Sequence, residues 1–373
     1  MAYIDQIKLS HFRNYDTLAL SGLAKGFIVL SGPNGAGKTN VLEAISVLAP
    51  GRGLRRAKME ELQNSAANMN AAQSWAVSAR IQDGENESRI GTGLDPRSQK
   101  KKIIRINGEN VTSQSVLGEY LSVFWLTPQM DNLFISPASE RRRFFDRMIL
   151  SFDPAHNGRM TRYEKALSQR SKLLREGNFD QSWLNALETQ MAETGVALAA
   201  TRADFARRLQ TSMAKFDHPH FPDSRITLSG FLEDQLEILP ALELEERFRH
   251  ALNHSREADS ITGGAAIGPH RSDFMLMYQE RNMSADQCST GEQKILLTGL
   301  VLAHAQLATA EKGVPPVLLL DEVSAHLDEN RRESLFNILG SLGGQIWLTG
   351  TDQSLFGDLQ AHYLSVKDGR VSA

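Results

Sequence analysis

A glycine-rich segment near the start of the sequence has the residue types and spacing that hold nucleotide phosphates. Residues 32–39 are Gly-Pro-Asn-Gly-Ala-Gly-Lys-Thr, which satisfies the P-loop pattern. The glycines let backbone N–H groups turn towards phosphate oxygens, Lys38 would reach the β- and γ-phosphates, and the Thr39 hydroxyl would bind Mg²⁺. We therefore predict that ATP and Mg²⁺ are bound by Gly32, Asn34, Gly35, Gly37, Lys38, Thr39 and Asn40.

Two adjacent carboxylates follow an apolar run late in the chain. Residues 317–320 are Val-Leu-Leu-Leu, and Asp321 and Glu322 come directly after them. Acids at the end of a buried strand cost desolvation free energy, so they need a partner. We predict that Asp321 holds Mg²⁺ through water and that Glu322 polarises the attacking water. The predicted catalytic residues are Glu322, Lys38 and Asp321. The alternative, an N-cap for a helix near Asp328, explains neither acid well.

A third motif supplies the second half of a composite site. Residues 289–294, Ser-Thr-Gly-Glu-Gln-Lys, begin a strongly apolar helix, where a serine is also an ordinary N-cap. Their order before the acidic strand is similar to the signature loop of ATP-binding-cassette proteins, in which Ser289 and Gly291 would cap the γ-phosphate held by a second subunit. An ATP-dependent homodimer follows from this resemblance. The same resemblance gives a D-loop at 324–328, a metal-binding Q-loop residue, Gln129, and a γ-phosphate sensor, Thr351.

The elements that position these motifs predict an α/β ATPase sheet with a helical arm inserted in the chain. The resemblance implies the ATPase head of the ATP-binding-cassette and SMC/Rad50-like class. Strands are expected at 4–9, 17–20 and 27–30, a helix at 39–48, and further short strands between 73 and 127, where Asn107-Gly108 indicates a hairpin turn. Long helices are expected from residue 137 to about 256, and strand–helix alternation returns at about 262. We predict an amino-terminal head part at 1–136, an arm lobe at 137–258 and a carboxyl-terminal head part at 259–373.

The arm itself leaves two interpretations open. Leu184, Met191, Leu198 and Phe205 recur at seven-residue steps, which is typical of a helical hairpin or a short coiled coil. Because these heptads are few, an ordinary helical subdomain explains them equally well.

Composition narrows the function further. A single cysteine, Cys288, the lack of a signal segment and the lack of a long apolar stretch predict a cytoplasmic protein that is not in a membrane. The net charge of −3 does not indicate a nucleic-acid binder, but basic residues cluster at 52–58, 97–105 and 141–147. Such clusters are more often solvated surfaces than phosphate-binding sites. The candidate DNA contacts are Arg52, Arg55, Arg56, Lys100, Lys101, Lys102, Arg141 and Arg142. His218 and His220 lack the further ligands of a metal site.

Several segments, in order along nearly the whole chain, resemble the RecF family of bacterial DNA-repair ATPases: 11–15, 35–45, 51–55, 105–108, 141–146, 163–174 and 268–271. The resemblance implies a weak, DNA-stimulated ATPase of recombinational repair that closes as an ATP-dependent dimeric clamp on gapped or single-/double-strand junction DNA. With RecR and RecO it would help load the RecA recombinase. The alternative is the nucleotide-binding subunit of a transporter.

The roles of five residues are left open. Glu292 and His326 stand where the family commonly has glutamine and an acid, and both would lie on the dimer interface. The resemblance marks His270 and Arg271 for testing but gives them no role. Arg13 would either stack near the adenine or ribose or be a surface arginine beside an aromatic ring.

Overall fold

The computed structural model describes residues 2–64, 74–96, 98, 101–177, 180–215 and 221–372. It divides into a head unit, Met1–Asp131 with Leu300–Ala373, and an arm unit, Asn132–Gly299. The strands are β1 (Ala2–Phe12), β2 (Tyr15–Ser21), β3 (Gly26–Ser31), β4 (Ala76–Asp83), β5 (Asn86–Leu94), β6 (Lys102–Ile106), β7 (Glu109–Val111), β8 (Val123–Leu126), β9 (Ser224–Ser229), β10 (Asp273–Tyr278), β11 (Met283–Ser284), β12 (Val317–Leu320), β13 (Gln345–Gly350), β14 (Ala361–Lys367) and β15 (Arg370–Ser372). The helices are α1 (Lys38–Ser46), α2 (Leu117–Tyr120), α3 (Ala138–Leu150), α4 (Ala155–Arg175), α5 (Gln181–Ala214), α6 (Ala241–His254), α7 (Arg256–Thr262), α8 (Thr290–Lys312) and α9 (Glu329–Ser341).

The first head sheet has the order β15-β14-β3-β13-β12-β8, and its pairs from β14 to β8 are parallel. Strands β8, β12 and β13 are buried along their whole length, as expected for a sheet covered on both faces. The carboxyl ends of parallel strands meet at one edge, so the residues after β3, β12 and β13 come together there. The predicted strands at 27–30 and 317–320 are confirmed.

The second head sheet is antiparallel, in the order β2-β1-β4-β5-β6-β7. The predicted pairing of the first two strands is confirmed, with Leu9 opposite Leu18. The turn between β6 and β7 is also confirmed: Asn107 and Gly108 have φ angles of 50° and 91°, the positive values that a type I′ turn requires. One apolar cluster, which includes Ile7, Leu42 and Trp347, joins both sheets to α1.

The arm unit has a core of its own. Leu184, Met191, Leu198 and Phe205 are all buried on α5. Leu244 and Phe248 of α6 pack in the same cluster as residues of α4 and α5, so the arm is a helical subdomain rather than a simple hairpin. Fully buried Arg170 donates hydrogen bonds to Glu188 at 2.9 Å and to Asp259 at 2.7 Å and thereby ties α4, α5 and α7 together.

The structure differs from three predictions about the arm. Strand β9 lies inside the stretch that we expected to be helical, and it pairs with β10, Asp273 facing Ser229. Because of this pairing, β10 and β11 belong to the arm unit, which continues to Gly299 instead of ending at residue 258. The first boundary, expected after residue 136, falls after Asp131. Within the described part of the chain, no helix is long and apolar enough to cross a membrane.

Candidate nucleotide-binding site

The P-loop joins β3 to α1, and its backbone leaves no room for side chains at two glycines. Gly37 has a φ of 115°, and a Cβ atom there would lie 2.6 Å from Asn14 Nδ2 and 2.7 Å from the Tyr15 hydroxyl. At Gly32 a Cβ atom would overlap the carbonyl oxygen of Val366. Glycine at these positions therefore allows the close backbone approach that a phosphate-binding loop needs.

Lys38 turns back into this loop. Its Nζ donates hydrogen bonds to the carbonyl oxygens of Gly32, at 2.6 Å, and Pro33, at 3.0 Å. Burial lowers the pKa of Lys38, and the nearby carboxylates of Glu322 and Asp321 partly oppose that shift. The ammonium group is thus held on the inner side of the loop, beside the two acids.

The acidic pair is held by hydroxyl groups from neighbouring elements. Thr39 Oγ1 lies 3.0 Å from both carboxylate oxygens of Asp321, and Thr349 Oγ1 donates to Asp321 Oδ1 at 2.7 Å. The same Thr349 oxygen accepts the backbone N–H of Glu322 at 2.9 Å. Glu322 has a left-handed backbone, with a φ of 54°, and is partly exposed. Since β13 lies between β3 and β12, Thr349 connects the two predicted motifs. The sequence analysis assigned a role to Thr351, as the γ-phosphate sensor, and none to Thr349.

These groups fit a magnesium ion. Hydroxyl and carboxylate oxygens are the hard ligands that Mg²⁺ takes, and it keeps several positions for water and phosphate. No cluster of three or more His, Cys, Asp or Glu side chains suited to a metal occurs among the described residues. The adjacent hydroxyl of Thr39 and carboxylate of Asp321 fit two of the three predicted metal ligands. Gln129 is exposed in the turn after β8, and Asn34 and Thr351 are exposed beside the loop and beyond β13.

A shell of polar side chains around the P-loop was not predicted. Asn14 Nδ2 donates to the Ala36 carbonyl at 3.1 Å, the Tyr15 hydroxyl donates to Gly37 O at 3.1 Å, and Asn40 Nδ2 donates to Asn14 Oδ1 at 2.7 Å. Asn14 and Tyr15 lie in the segment 11–15 that carried the family resemblance, which was the one available signal for them.

Glu43, on α1, organises the two arginines beside this shell. It is 1% exposed and binds Arg13 through both carboxylate oxygens, at 2.8 and 2.7 Å, and Arg55 at 2.9 Å. Arg55 also donates to Asn40 Oδ1 at 2.7 Å. The guanidinium of Arg13 is therefore engaged by Glu43 instead of lying free on the surface, and a contact with the adenine or ribose stays a prediction.

The signature segment lies in the arm unit, where Ser289 precedes the first turn of α8. Its backbone N–H and its hydroxyl both donate to Glu292 Oε2, at 2.9 and 2.8 Å. Arg281, in the β10–β11 turn, forms an ion pair with Glu292 Oε1. Hydrogen bonds from Ser289 lower the pKa of Glu292, which is consequently ionised at neutral pH. Gly291 is exposed, and no atom lies within 4 Å of a Cβ atom placed on it.

Several candidate DNA contacts turn out to be engaged within the protein. Arg141 forms a bidentate pair with Asp273, at 2.8 and 2.6 Å, and Arg142 donates to the Ser272 carbonyl. Lys102 donates to Val47 O at 3.2 Å, and burial lowers the pKa of Lys102 to about 8. These three residues and Arg55 have partners within the protein, and their contact with DNA stays a prediction. Arg52, Arg56 and Lys101 are exposed, and their contact with DNA stays a prediction; Lys100, His218 and His220, and the side chain of His326, lie outside the described residues.

His270 acquires a structural role. Its Nε2 lies 3.0 Å from the Ala265 carbonyl, which can only accept, so Nδ1 accepts the Tyr163 hydroxyl at 2.8 Å. Burial lowers the pKa of His270 to about 4, which keeps the ring neutral. Arg271 adds a 3.3 Å hydrogen bond to Ala265 O, so both residues fix the 265–271 segment.

Known proteins resemble this chain along nearly its whole length. The family model "RecF/RecN/SMC N terminal domain" matches residues 3–368. The DNA replication and repair protein RecF of Mesorhizobium japonicum is 46% identical over 373 residues, covering 99% of this chain and 97% of that protein. The chain belongs to the RecF family. The RecF protein of Agrobacterium fabrum is 44% identical, with 99% of this chain and 98% of the relative covered.

Solved structures extend the family match. A structure described as the recombination mediator protein RecF with ATP in the RecFOR pathway superposes with a TM-score of 0.86 at 25% identity, covering 100% of this chain and 97% of the other. An Smc head domain from Pyrococcus furiosus has a TM-score of 0.54 at 17% identity, covering 100% of this chain and 96% of the other, and is alike in fold. The family is one of DNA replication and repair proteins, and the transporter alternative finds no support.

Proposed function

We propose that this protein is an ATPase of recombinational DNA repair that dimerises on ATP and closes as a clamp on gapped or junction DNA. The observation that carries the proposal is the hydrogen-bonded group of Thr39, Asp321 and Thr349 beside the P-loop. It joins the predicted phosphate loop to the predicted hydrolytic acids, in a chain whose relatives are DNA replication and repair proteins. Because its substrate would be the DNA of a bacterial cell, we place its action in the cytoplasm.

Each polar residue has a role in the proposed reaction. Lys38 would exchange its two carbonyl contacts for the β- and γ-phosphates, and Thr39 and Asp321, with Gln129, would hold Mg²⁺, which neutralises charge on the phosphates. Glu322, whose position is fixed through its own N–H, would orient the attacking water. Ser289 and Gly291 of a second copy would cap the γ-phosphate, and Thr351 would sense it. Two identical sites then form across a twofold interface.

Binding to DNA would be largely independent of sequence. The exposed cations Arg52, Arg56 and Lys101 offer contacts to phosphates, which dominate non-specific affinity and make it fall with salt. We further propose that DNA stimulates a weak ATPase, and that RecR and RecO act with the bound dimer to load RecA. The likeness to a RecF structure of the RecFOR pathway supports this assignment.

Fluorescence anisotropy of gapped DNA tests the proposal. Binding would be measured with Mg²⁺ and ATP and without nucleotide, at two salt concentrations, for wild type, Lys38→Met and Glu322→Gln. Lys25→Met, a change at an exposed lysine of the head unit, is the matched control. We expect ATP-dependent binding that weakens with salt, vanishes in Lys38→Met, lasts longer in Glu322→Gln and is unchanged in Lys25→Met. DNA binding that ignores ATP would contradict the clamp.

A further inference from the structure

The contacts of Glu292 in the signature segment include the two hydrogen bonds of a capping box and one more, from the Ser289 hydroxyl to the Glu292 carboxylate. In a capping box the serine hydroxyl accepts the N–H of the residue three positions later, and the acid accepts the serine N–H. Here the N–H of Glu292 lies 3.4 Å from Ser289 Oγ, whereas that hydroxyl donates to the Glu292 carboxylate at the shorter distance of 2.8 Å. A single carboxylate oxygen thus takes both donors of Ser289.

The second carboxylate oxygen of Glu292 also has a partner within the protein. It forms an ion pair with Arg281, whose guanidinium lies 5.4 Å from the Tyr278 ring centre. Asn282, next in the turn, has a left-handed backbone with a φ of 46°, which fixes the tight connection between β10 and β11. Arg281 is therefore a cation held beside the start of α8, on an element separate from Ser289 and able to attract the carboxylate away from it.

We infer that Glu292 is an internal anion that occupies the donors of the signature loop, and that Arg281 draws its carboxylate away when the γ-phosphate held by a second copy arrives. This inference rests on the proposed function, because it assumes that Ser289 caps that phosphate. A phosphate and a carboxylate cannot share the Ser289 donors, and two anions so close repel each other. The exposed side of Gly291 leaves the approach open, so the rotation of one side chain is the step that closing requires.

Glu292 and Arg281 are therefore positioning residues with opposite effects on the dimer. Glu292 opposes dimerisation, and Arg281 favours it. Glu292→Gln removes the repulsion while keeping a side chain that completes a capping box. Arg281→Gln removes the group that draws the carboxylate aside, which leaves Glu292 on Ser289. If the two residues act through each other, Arg281→Gln has no effect once Glu292 is glutamine, which is the non-additivity that a double-mutant cycle measures.

The test is the dissociation constant of the dimer, measured by analytical ultracentrifugation with Mg²⁺ and a non-hydrolysable ATP analogue. We expect Glu292→Gln to tighten the dimer on the order of tenfold and Arg281→Gln to weaken it on the order of tenfold, as the gain or loss of one charge interaction would. The double variant should match Glu292→Gln. Arg249→Gln, which breaks an exposed ion pair with Glu246 on α6, is the matched control and should change nothing.

The possible results distinguish a failure of this inference from a failure of the proposed function. Tightening in Glu292→Gln with an unchanged melting temperature supports the inference, since an ordinary cap would alter folding and not dimerisation. Variants within twofold of wild type, or an equal effect of Arg281→Gln in both backgrounds, would overturn it while leaving the proposed function standing. The proposed function fails separately if wild type forms no dimer with the ATP analogue, or if Ser289→Arg dimerises normally; either result also overturns the inference.

Discussion

Removal of the Thr349 hydroxyl tests the arrangement that joins the two halves of the head site. In Thr349→Val the side chain keeps its shape, but Asp321 Oδ1 loses a 2.7 Å hydrogen bond and the Glu322 N–H loses its acceptor at 2.9 Å. A hydrogen bond to a charged group contributes about 1.5–3 kcal/mol, and a buried donor left unsatisfied costs about 1–3 kcal/mol. Since Glu322 is partly exposed and water can reach it, we take the lower part of the two contributions combined. We therefore expect the free energy of unfolding to fall by about 3 kcal/mol.

The assay is thermal unfolding. For a unit of 150–250 residues, 1 kcal/mol corresponds to roughly 2–4 °C, so Thr349→Val should melt about 6–12 °C below wild type. Thr349→Ser keeps the hydroxyl and loses one methyl group, worth about 1 kcal/mol, so it should melt about 2–4 °C below wild type. ATP hydrolysis should fall in Thr349→Val and largely persist in Thr349→Ser, because the backbone of Glu322 stays anchored only in the serine variant. Equal melting temperatures for the two variants would refute the bridging role of the hydroxyl.

Three other predictions concern single contacts. Gly37→Ala should reduce binding of a fluorescent ATP analogue at least tenfold, because its Cβ would meet Asn14 and Tyr15; Gly51→Ala, with a similar φ of 111° and no atom within 4 Å, should bind normally. Glu43→Gln leaves two arginines without their carboxylate and should cost about 1–3 kcal/mol in chemical unfolding, since both arginines are partly exposed. The depressed pKa of His270 means that the unfolded chain binds its proton first, so stability should fall as pH drops from about 6.5 to 4, and His270→Gln should flatten that fall in melting experiments.

The parts of the site that local pattern encodes were predictable from sequence. The P-loop needs glycines at fixed spacing between a buried strand and a helix, and the acids at 321 and 322 end an apolar run, so both motifs are visible within ten residues. Thr349 was passed over because its role depends on strand order: only when β13 lies between β3 and β12 does its hydroxyl reach Asp321.

The contacts of charged residues are even harder to predict from local sequence. Arg141 resembles a surface cation in its run of three arginines, but its partner, Asp273, is 132 positions away on β10. Glu43 has nothing in its sequence context that marks it as 1% exposed. Strand β9 was missed because six alternating residues between long helices give too short a pattern to outweigh the helical signal around them.

The two predicted halves of the composite site share one physical property, which bears on how it would switch. Lys38 satisfies its charge on the carbonyl groups of Gly32 and Pro33, Thr39 binds Asp321, and Ser289 binds Glu292. Nucleotide would therefore replace existing hydrogen bonds, so the net gain of each replacement is smaller than the roughly 1.5–3 kcal/mol that a hydrogen bond to a charged group contributes. We therefore expect closure to require both halves and the metal together. We expect such a dimer to dissociate when hydrolysis removes the γ-phosphate, because the internal partners can then accept hydrogen bonds from the same donors again.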